Sequence, residues 1–562
     1  MNQNTNSAGS PYVSGQPSAT QPAATGNPGY PQSGYTANEY AVTQMQENYV
    51  RINAELAARL DAKKQMRQAA GNERNMMSAI GCLLISLLFA DVLIFSEGGI
   101  GAFGSFMLAE GIIFFTYREH MSVGRKKALL LALPVLVIAV SFTLFHNSTG
   151  YFIPYSTILI LMSLQIILLS GSETDEAFSP EMVSLVLRRI VTRPFANMDL
   201  YFAAFRVPKD KKTGKTRNLM YVLIGILVAV PFVAILLSLF LSADGIFKQE
   251  YYDFLDILKI DLSAGRVFAD LFVGSMFALF AGSVLMLNAV GGHRDAARSK
   301  MTVRVNSVAG MTFTVVINLL LLAFAAVQAR YLLFGGMHAL IEEMGYAEYA
   351  RQGFFQLSWA SGIVFVVAAA VLTLTRNESG KSPVAIRISV LLMCTLNMVV
   401  ALSSAWRMYF YVDAHGLSIK RVSTLFGILV IFISLLWLAA KCLLPQMKSL
   451  KMIGISMMVL VLIFSLINVD RLVARYNTER YLDDILTMDA EYFHQLSYTS
   501  VAELLELRSE AESGGHLADN LEDINVVLKH YARRFEDRQL LSSTFDDFRV
   551  GRLLSDIEFK SE

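Results

Sequence analysis

The sequence predicts an all-α fold, a polytopic integral membrane helical bundle of about eleven transmembrane helices with a small helical C-terminal extracytoplasmic domain. Three observations carry that prediction. Only 17% of the 562 residues are charged, where a soluble domain carries about 25%. Apolar runs recur at the roughly 20 residues needed to cross a hydrocarbon core, and mean hydropathy is +0.45. From Asp470 the character changes, with 20 Asp/Glu against 11 Lys/Arg up to Glu562.

Residues 1–40 are rich in Pro, Gly, Ser, Gln and Thr. Such a composition cannot bury a core, so a disordered cytoplasmic tail is expected. Residues 41–75 contain good helix formers and many charges, which predicts a polar helix leading to the bilayer. The predicted spans lie at roughly 76–95, 101–117, 128–145, 152–171, 218–242, 267–290, 306–333, 354–375, 385–405, 422–442 and 452–470. They make up a transmembrane bundle over 76–470, with residues 471–562 as the acidic helical domain beyond it.

Orientation follows from Lys and Arg. With the N-terminus in the cytoplasm, the inner segments hold 29 of these residues and the outer loops 8. An odd number of spans then puts the C-terminus outside. The expected location is the bacterial plasma membrane.

Two connecting segments read as interfacial. In SPEMVSLVLRRIVTR (179–193) Ser179 can cap a helix, Pro180 suits its first position and Glu181 its positive end. Val183, Val186, Leu187 and Ile190 share one face, and Arg188, Arg189 and Arg193 lie elsewhere, to meet anionic lipid. GIFKQEYYDFLDILKIDL (245–262) has a similar mixed face. In the acidic region Ser500 and Glu503 form a capping-box pattern ahead of leucines at helical spacing.

Catalytic signatures are missing. There is no HExxH, GxSxG, Walker A or kinase set. The three cysteines lie in or beside apolar runs without CxxC spacing. No cofactor is implied, and a net charge of +1 gives no indication of a nucleic-acid partner. The expected partners are the lipid bilayer and proteins that meet the tail or the external domain.

Polar candidates remain. Glu110 lies mid-span, where a charge costs about 2.5–3.5 kcal/mol, so it is neutral, paired or facing a wet cavity. Asn288, Asn318 and Asn397 fit interhelical glue better than ligand groups. Two outer loops fall on one predicted side. The first offers His338, Glu342, Glu343, Tyr349 and Arg351, and the second, WRMYFYVDAHGLSIKR (406–421), offers Arg407, Tyr411, Asp413 and His415. Together they are a candidate pocket. Its plainer alternative is an aromatic belt with snorkelling arginines. Two histidines from separate loops without fixed spacing do not make a metal site, so no metal is assigned.

The same loops carry a resemblance. Tyr346, Tyr349, Ala350, Arg351, Gly353, Phe354, Phe355 and Leu357 fit a pattern Tyr-x-x-Tyr-Ala-Arg-x-Gly-Phe-Phe-x-Leu. Arg407, Met408, Tyr411, Gly416, Leu417 and Arg421 fit its continuation, and Asn477 its entry to a helical tail. Over roughly 180–550 the chain resembles a bacterial multi-pass membrane family of unknown function, DUF4173, allied to DUF4153. The resemblance implies fold and topology. It supplies no activity, and so no catalytic residue.

Three functions stay open on this basis. One is a non-enzymatic envelope signalling or assembly protein linking tail and external domain. The second is a transporter or ion-coupled permease using Glu110 and the outer loops. The third is a membrane-embedded enzyme acting on lipid-linked substrates.

Overall fold

Long apolar stretches without strand-like alternation become helices because lipid offers backbone groups no other partner. A computed structural model describes residues 37–95, 98–119, 124–147, 152–171, 178–206, 264–291, 306–333, 354–375 and 383–555, and among these there is no strand. The first helix, α1 (Ala37–Ala70), begins inside the segment predicted as tail and ends at Gly71. The span-length helices are α2 (Glu73–Phe95), α3 (Gly99–Thr116), α4 (Arg125–Leu144), α5 (Phe152–Leu169), α9 (Ala264–Gly291), α10 (Ser307–Leu333), α11 (Phe354–Leu374), α12 (Val384–His415) and α13 (Ile419–Leu443). A tenth candidate is the pair α14 (Ser449–Ser465) and α15 (Val469–Leu482), bent by 62°. The remaining predicted span, 218–242, lies outside the described residues, as do the outer segment 245–262 and residues 1–36 of the tail.

Among the described residues the bundle has two large apolar cores and a small third, Ala401, Met408, Val412 and Ile428, between α12 and α13. One large core joins α2, α3, α4, α5 and α9, with Phe106, Phe142, Ile158 and Leu285 among its buried residues. The other joins α10, α11, α12 and α13 through Leu321, Leu372, Met393 and Leu435. Polar glue crosses the second. Asn318 Nδ2 donates to the Ser389 carbonyl (2.8 Å) and hydroxyl (3.0 Å), and Asn397 Nδ2 donates to the Ser361 carbonyl (2.9 Å). Asn288 instead bonds within its own helix, to Val284.

At one end of the bundle the chain 180–204 folds back on the spans. Ser179 caps α6 (Pro180–Val186) by accepting from the Met182 amide at 3.1 Å. The predicted uninterrupted helix is then corrected. Leu187–Thr192 is a π turn, followed by α7 (Arg193–Ala196) and α8 (Asp199–Ala204). Wider turns shift which side chains face inward. Met182, Arg189 and Ile190 are buried, while Val183, Leu187, Val191 and Phe195 are exposed. Arg189 is therefore not a surface cation: its Nη1 lies 3.5 Å from the Ser170 hydroxyl. Arg188 and Arg193 are half-buried. The same end carries the Arg74–Glu119 pair and the Tyr117 and Tyr201 hydroxyls, which donate to the Leu285 and Ala79 carbonyls at 2.8 and 3.1 Å.

The opposite end carries the C-terminal helices: α15, α16 (Ala490–Phe493), α17 (Val501–Glu512), α18 (Leu521–Glu536) and α19 (Asp547–Ser555). They share a core of their own, including Val473, Phe493, Leu504, Leu528 and Tyr531. The capping box expected at Ser500 does not form. A 3-10 turn, Tyr498–Ser500, leads into α17, Ser500 makes no side-chain cap, and Glu503 pairs with Arg471 at 2.9 Å.

Gly282 of α9 lies under Tyr201, where an added Cβ would come within 2.2 Å of the ring. Gly282→Val is expected to overpack this contact by about 1–3 kcal/mol, read as a lowered Tm of the detergent-solubilised protein.

Candidate functional site

The corner between α12 and α13 is built from helix-end chemistry. Apolar periodicity stops near residue 405, but no Gly or Pro interrupts the chain until Gly416, so α12 runs on through Tyr411 and Asp413 to His415. Most of the stretch 406–421 is therefore helix, with a turn only at Gly416–Ser418. Gly416 takes φ +74, a region that favours glycine. A Cβ there would lie 2.6 Å from Asn477 Oδ1. Asn477, on α15, reads the corner like a backbone strand. Its Oδ1 accepts from the Leu417 amide (2.7 Å), and its Nδ2 donates to the Leu417 carbonyl (3.0 Å).

The remaining groups close the corner. Arg421 Nη1 donates to the carbonyls of His415 (2.9 Å) and Gly416, and its guanidinium lies 4.2 Å from the centre of the Tyr411 ring. Ser418 caps α13, and the Ile419 amide donates to the Tyr492 hydroxyl at 3.0 Å. Arg480 donates to the Asp413 carboxylate (2.7 Å) and carbonyl (3.1 Å). Unpaired carbonyls at the end of α12 and amides at the start of α13 thus find partners in side chains of α13 and the C-terminal helices.

Of the candidate pocket, Tyr411, Asp413 and His415 are placed in this corner, and Arg407 lies one turn earlier on α12. Tyr411 and Asp413 are committed to Arg421 and Arg480, and the His415 ring packs 5.0 Å from Tyr411. His338, Glu342, Glu343, Tyr349 and Arg351 lie outside the described residues. Among the described residues no group of three or more His, Cys, Asp or Glu side chains is placed to hold a metal ion.

A second fastening joins residues 143–147, at the end of α4, to the C-terminal helices. The Phe545 and Asp546 amides donate to the Thr143 and Leu144 carbonyls at 2.8 and 3.1 Å. The Ile100 amide, in the first turn of α3, donates to the Ser543 carbonyl at 3.1 Å. The Val469 amide donates to Asn147 Oδ1 (3.0 Å), and the Ser497 hydroxyl to the His146 carbonyl (3.1 Å). Beneath this strap Asp547 is buried. Its carboxylate accepts from Tyr498 (3.2 Å), Arg538 (3.1 Å), and the amide (3.2 Å) and hydroxyl (2.9 Å) of Thr544, with His146 Nε2 at 3.5 Å. Burial alone would raise this carboxyl. The His146 side chain and the Thr544 groups outweigh it and hold Asp547 below the ordinary carboxylate value. No local motif marks this node, because His146 and Asp547 are 401 positions apart in the sequence.

Glu110 stands apart, inside the first core. It is buried on the face of α3 that also carries Phe106 and Ile113. Gln165 of α5 lies close enough to interact with its carboxyl. Gln165 Nε2 is already donated to the Ala128 carbonyl at 3.2 Å. Among the described residues neither Glu110 oxygen nor Gln165 Oε1 meets an aligned donor.

Residues 132–507 match a family described as a domain of unknown function (DUF4153). The matched range covers two thirds of the chain. The chain belongs to that family. The match agrees with the expected resemblance to a family of unknown function and with the DUF4153 named in it. The matched residues include the α12–α13 corner and Asn477, whereas Glu110 and the strap at 540–547 lie outside them. No curated protein and no solved structure matches the chain.

Asn477→Ala removes both bonds to Leu417 and is expected to cost about 2–3 kcal/mol, because a corner amide loses its partner. Limited proteolysis should then release the C-terminal helices while the spans stay protected. Asp547→Ala is expected to cost about 3 kcal/mol, since Arg538 is left facing an emptied buried site. With its folded value lowered, Asp547 stabilises the protein fully above the ordinary carboxylate value. That stabilisation disappears as pH falls through the lower, folded value. The wild-type Tm should therefore fall on acidification more steeply than that of Asp547→Asn.

Proposed function

We propose that this DUF4153 protein is a non-enzymatic scaffold of the bacterial plasma membrane, coupling partners of a cytoplasmic tail to partners of an external C-terminal domain. The supporting observation is the double fastening of the C-terminal helices to the bundle, at Leu417–Asn477 and at Thr143–Phe545. A module held through backbone hydrogen bonds at two separate span ends moves with those spans. That suits transmission of position across a bilayer. The loops that the Lys/Arg bias assigns to the outside (near 98, 146, 416 and 467) are the loops that meet the C-terminal helices. That grouping supports the proposed orientation. Tags on the two termini of intact cells should report opposite sides.

A second reading rests on Glu110. A buried carboxyl beside the Gln165 side chain, between two span helices, is a group that can hold a proton in the membrane interior. An ion-coupled permease would use it.

The two readings separate in cells lacking the native gene, under an envelope stress that exposes the loss. A chain without residues 1–36 should fail to restore growth, and Glu110→Gln should restore it. The reverse pattern, with membrane levels unchanged, would falsify the scaffold in favour of the permease.

A further inference from the structure

The strap that fastens the C-terminal helices carries an unusual surface. Phe545 is 66% exposed and Phe548 80%, with Leu540 and Ile100 also exposed beside them. On α19 Val550 is buried in the C-terminal core and Asp547 is buried toward His146 and Tyr498, while the adjacent Phe548 is exposed. The polar group of the helix is satisfied inside, and its aromatic ring is left outside. A group of large apolar side chains exposed together marks an interaction surface.

The depth of this edge is set by hydrogen bonds. Phe545 and Asp546 bond the carbonyls of Thr143 and Leu144, which close the α4 span, and Ser543 bonds Ile100 at the start of the α3 span. A segment bonded to the last carbonyls of a span lies where that span leaves the hydrocarbon. Ile100, in the first turn of α3, is exposed beside the strap segment that its amide bonds. Aromatic rings favour this headgroup level, and the strap's backbone polar groups are already paired with the span ends.

We propose that Phe545 and Phe548 seat the C-terminal helices in the headgroup–acyl boundary of the bilayer, making their strap edge a lipid-binding surface. The occupant is lipid, as the strap is bonded to the ends of the α3 and α4 spans and Ile100 of α3 is exposed beside it. The inference rests on the membrane-spanning fold and is independent of the scaffold reading.

The test replaces Phe548, and separately Phe545, with the photoreactive analogue p-benzoyl-phenylalanine, which keeps the ring. The full-length protein is irradiated in nanodiscs of phosphatidylethanolamine and phosphatidylglycerol. The expected result is a peptide spanning the substituted position that carries the mass of one phospholipid, with no such adduct for the analogue at exposed Lys529. An adduct to a second copy of the chain, or irradiation without any adduct at either position, overturns the proposal. Retained resistance of the C-terminal helices to protease confirms that the substituted chains are folded.

Discussion

Every helix that reaches a membrane surface ends with carbonyls or amides that its own turns cannot satisfy, and the structure depends on how those ends are paired. At one end of this bundle the partners come from the C-terminal helices. Asn477 supplies an acceptor and a donor to Leu417, and the strap amides of Phe545 and Asp546 supply donors to α4. These bonds bring the start of α3, the end of α4 and the α12–α13 corner under one small helical assembly. Side chains then fill in around the backbone pairing, with Arg421 and Arg480 at the corner and Asp547 under the strap.

The helices were legible because lipid imposes a simple rule. Among the described residues every expected span contains a helix, most within a few residues of the expected bounds, and the acidic region is helical as its leucine spacing implied. The misreadings share one cause: local pattern cannot see a distant partner. Ser500 and Glu503 have capping-box spacing, yet Arg471 takes the glutamate. Arg189 looked like a headgroup cation, yet a π turn carries it beneath the surface. The run of α12 past residue 405 looked like loop because its residues are polar and aromatic, but polarity there reflects only that the helix has left the oil.

The candidate site was half legible. Gly416, Arg421 and Asn477 stood out in the sequence as parts of a recurrent pattern, and their purpose is now physical: a left-handed glycine, a cation over helix-end carbonyls, and an amide imitating a strand. The Asp547 node was invisible, because its partners His146, Tyr498 and Arg538 come from separate elements and none sits in a recognisable motif. Glu110 was legible by depth alone. Its surroundings add Gln165 and withhold any obvious counter-charge among the described residues.

Helix length has a geometric consequence. α12 holds 32 residues and α4 holds 20, a difference of about 18 Å at 1.5 Å per residue. A hydrocarbon layer of about 30 Å can swallow the shorter rod but not the longer one. Part of α12 must therefore protrude like a mooring post, whereas α3 and α4 finish as a low ledge. The terminal helices are tied to both, to α12 through Arg480 and Asp413 and to α4 through Phe545 and Thr143.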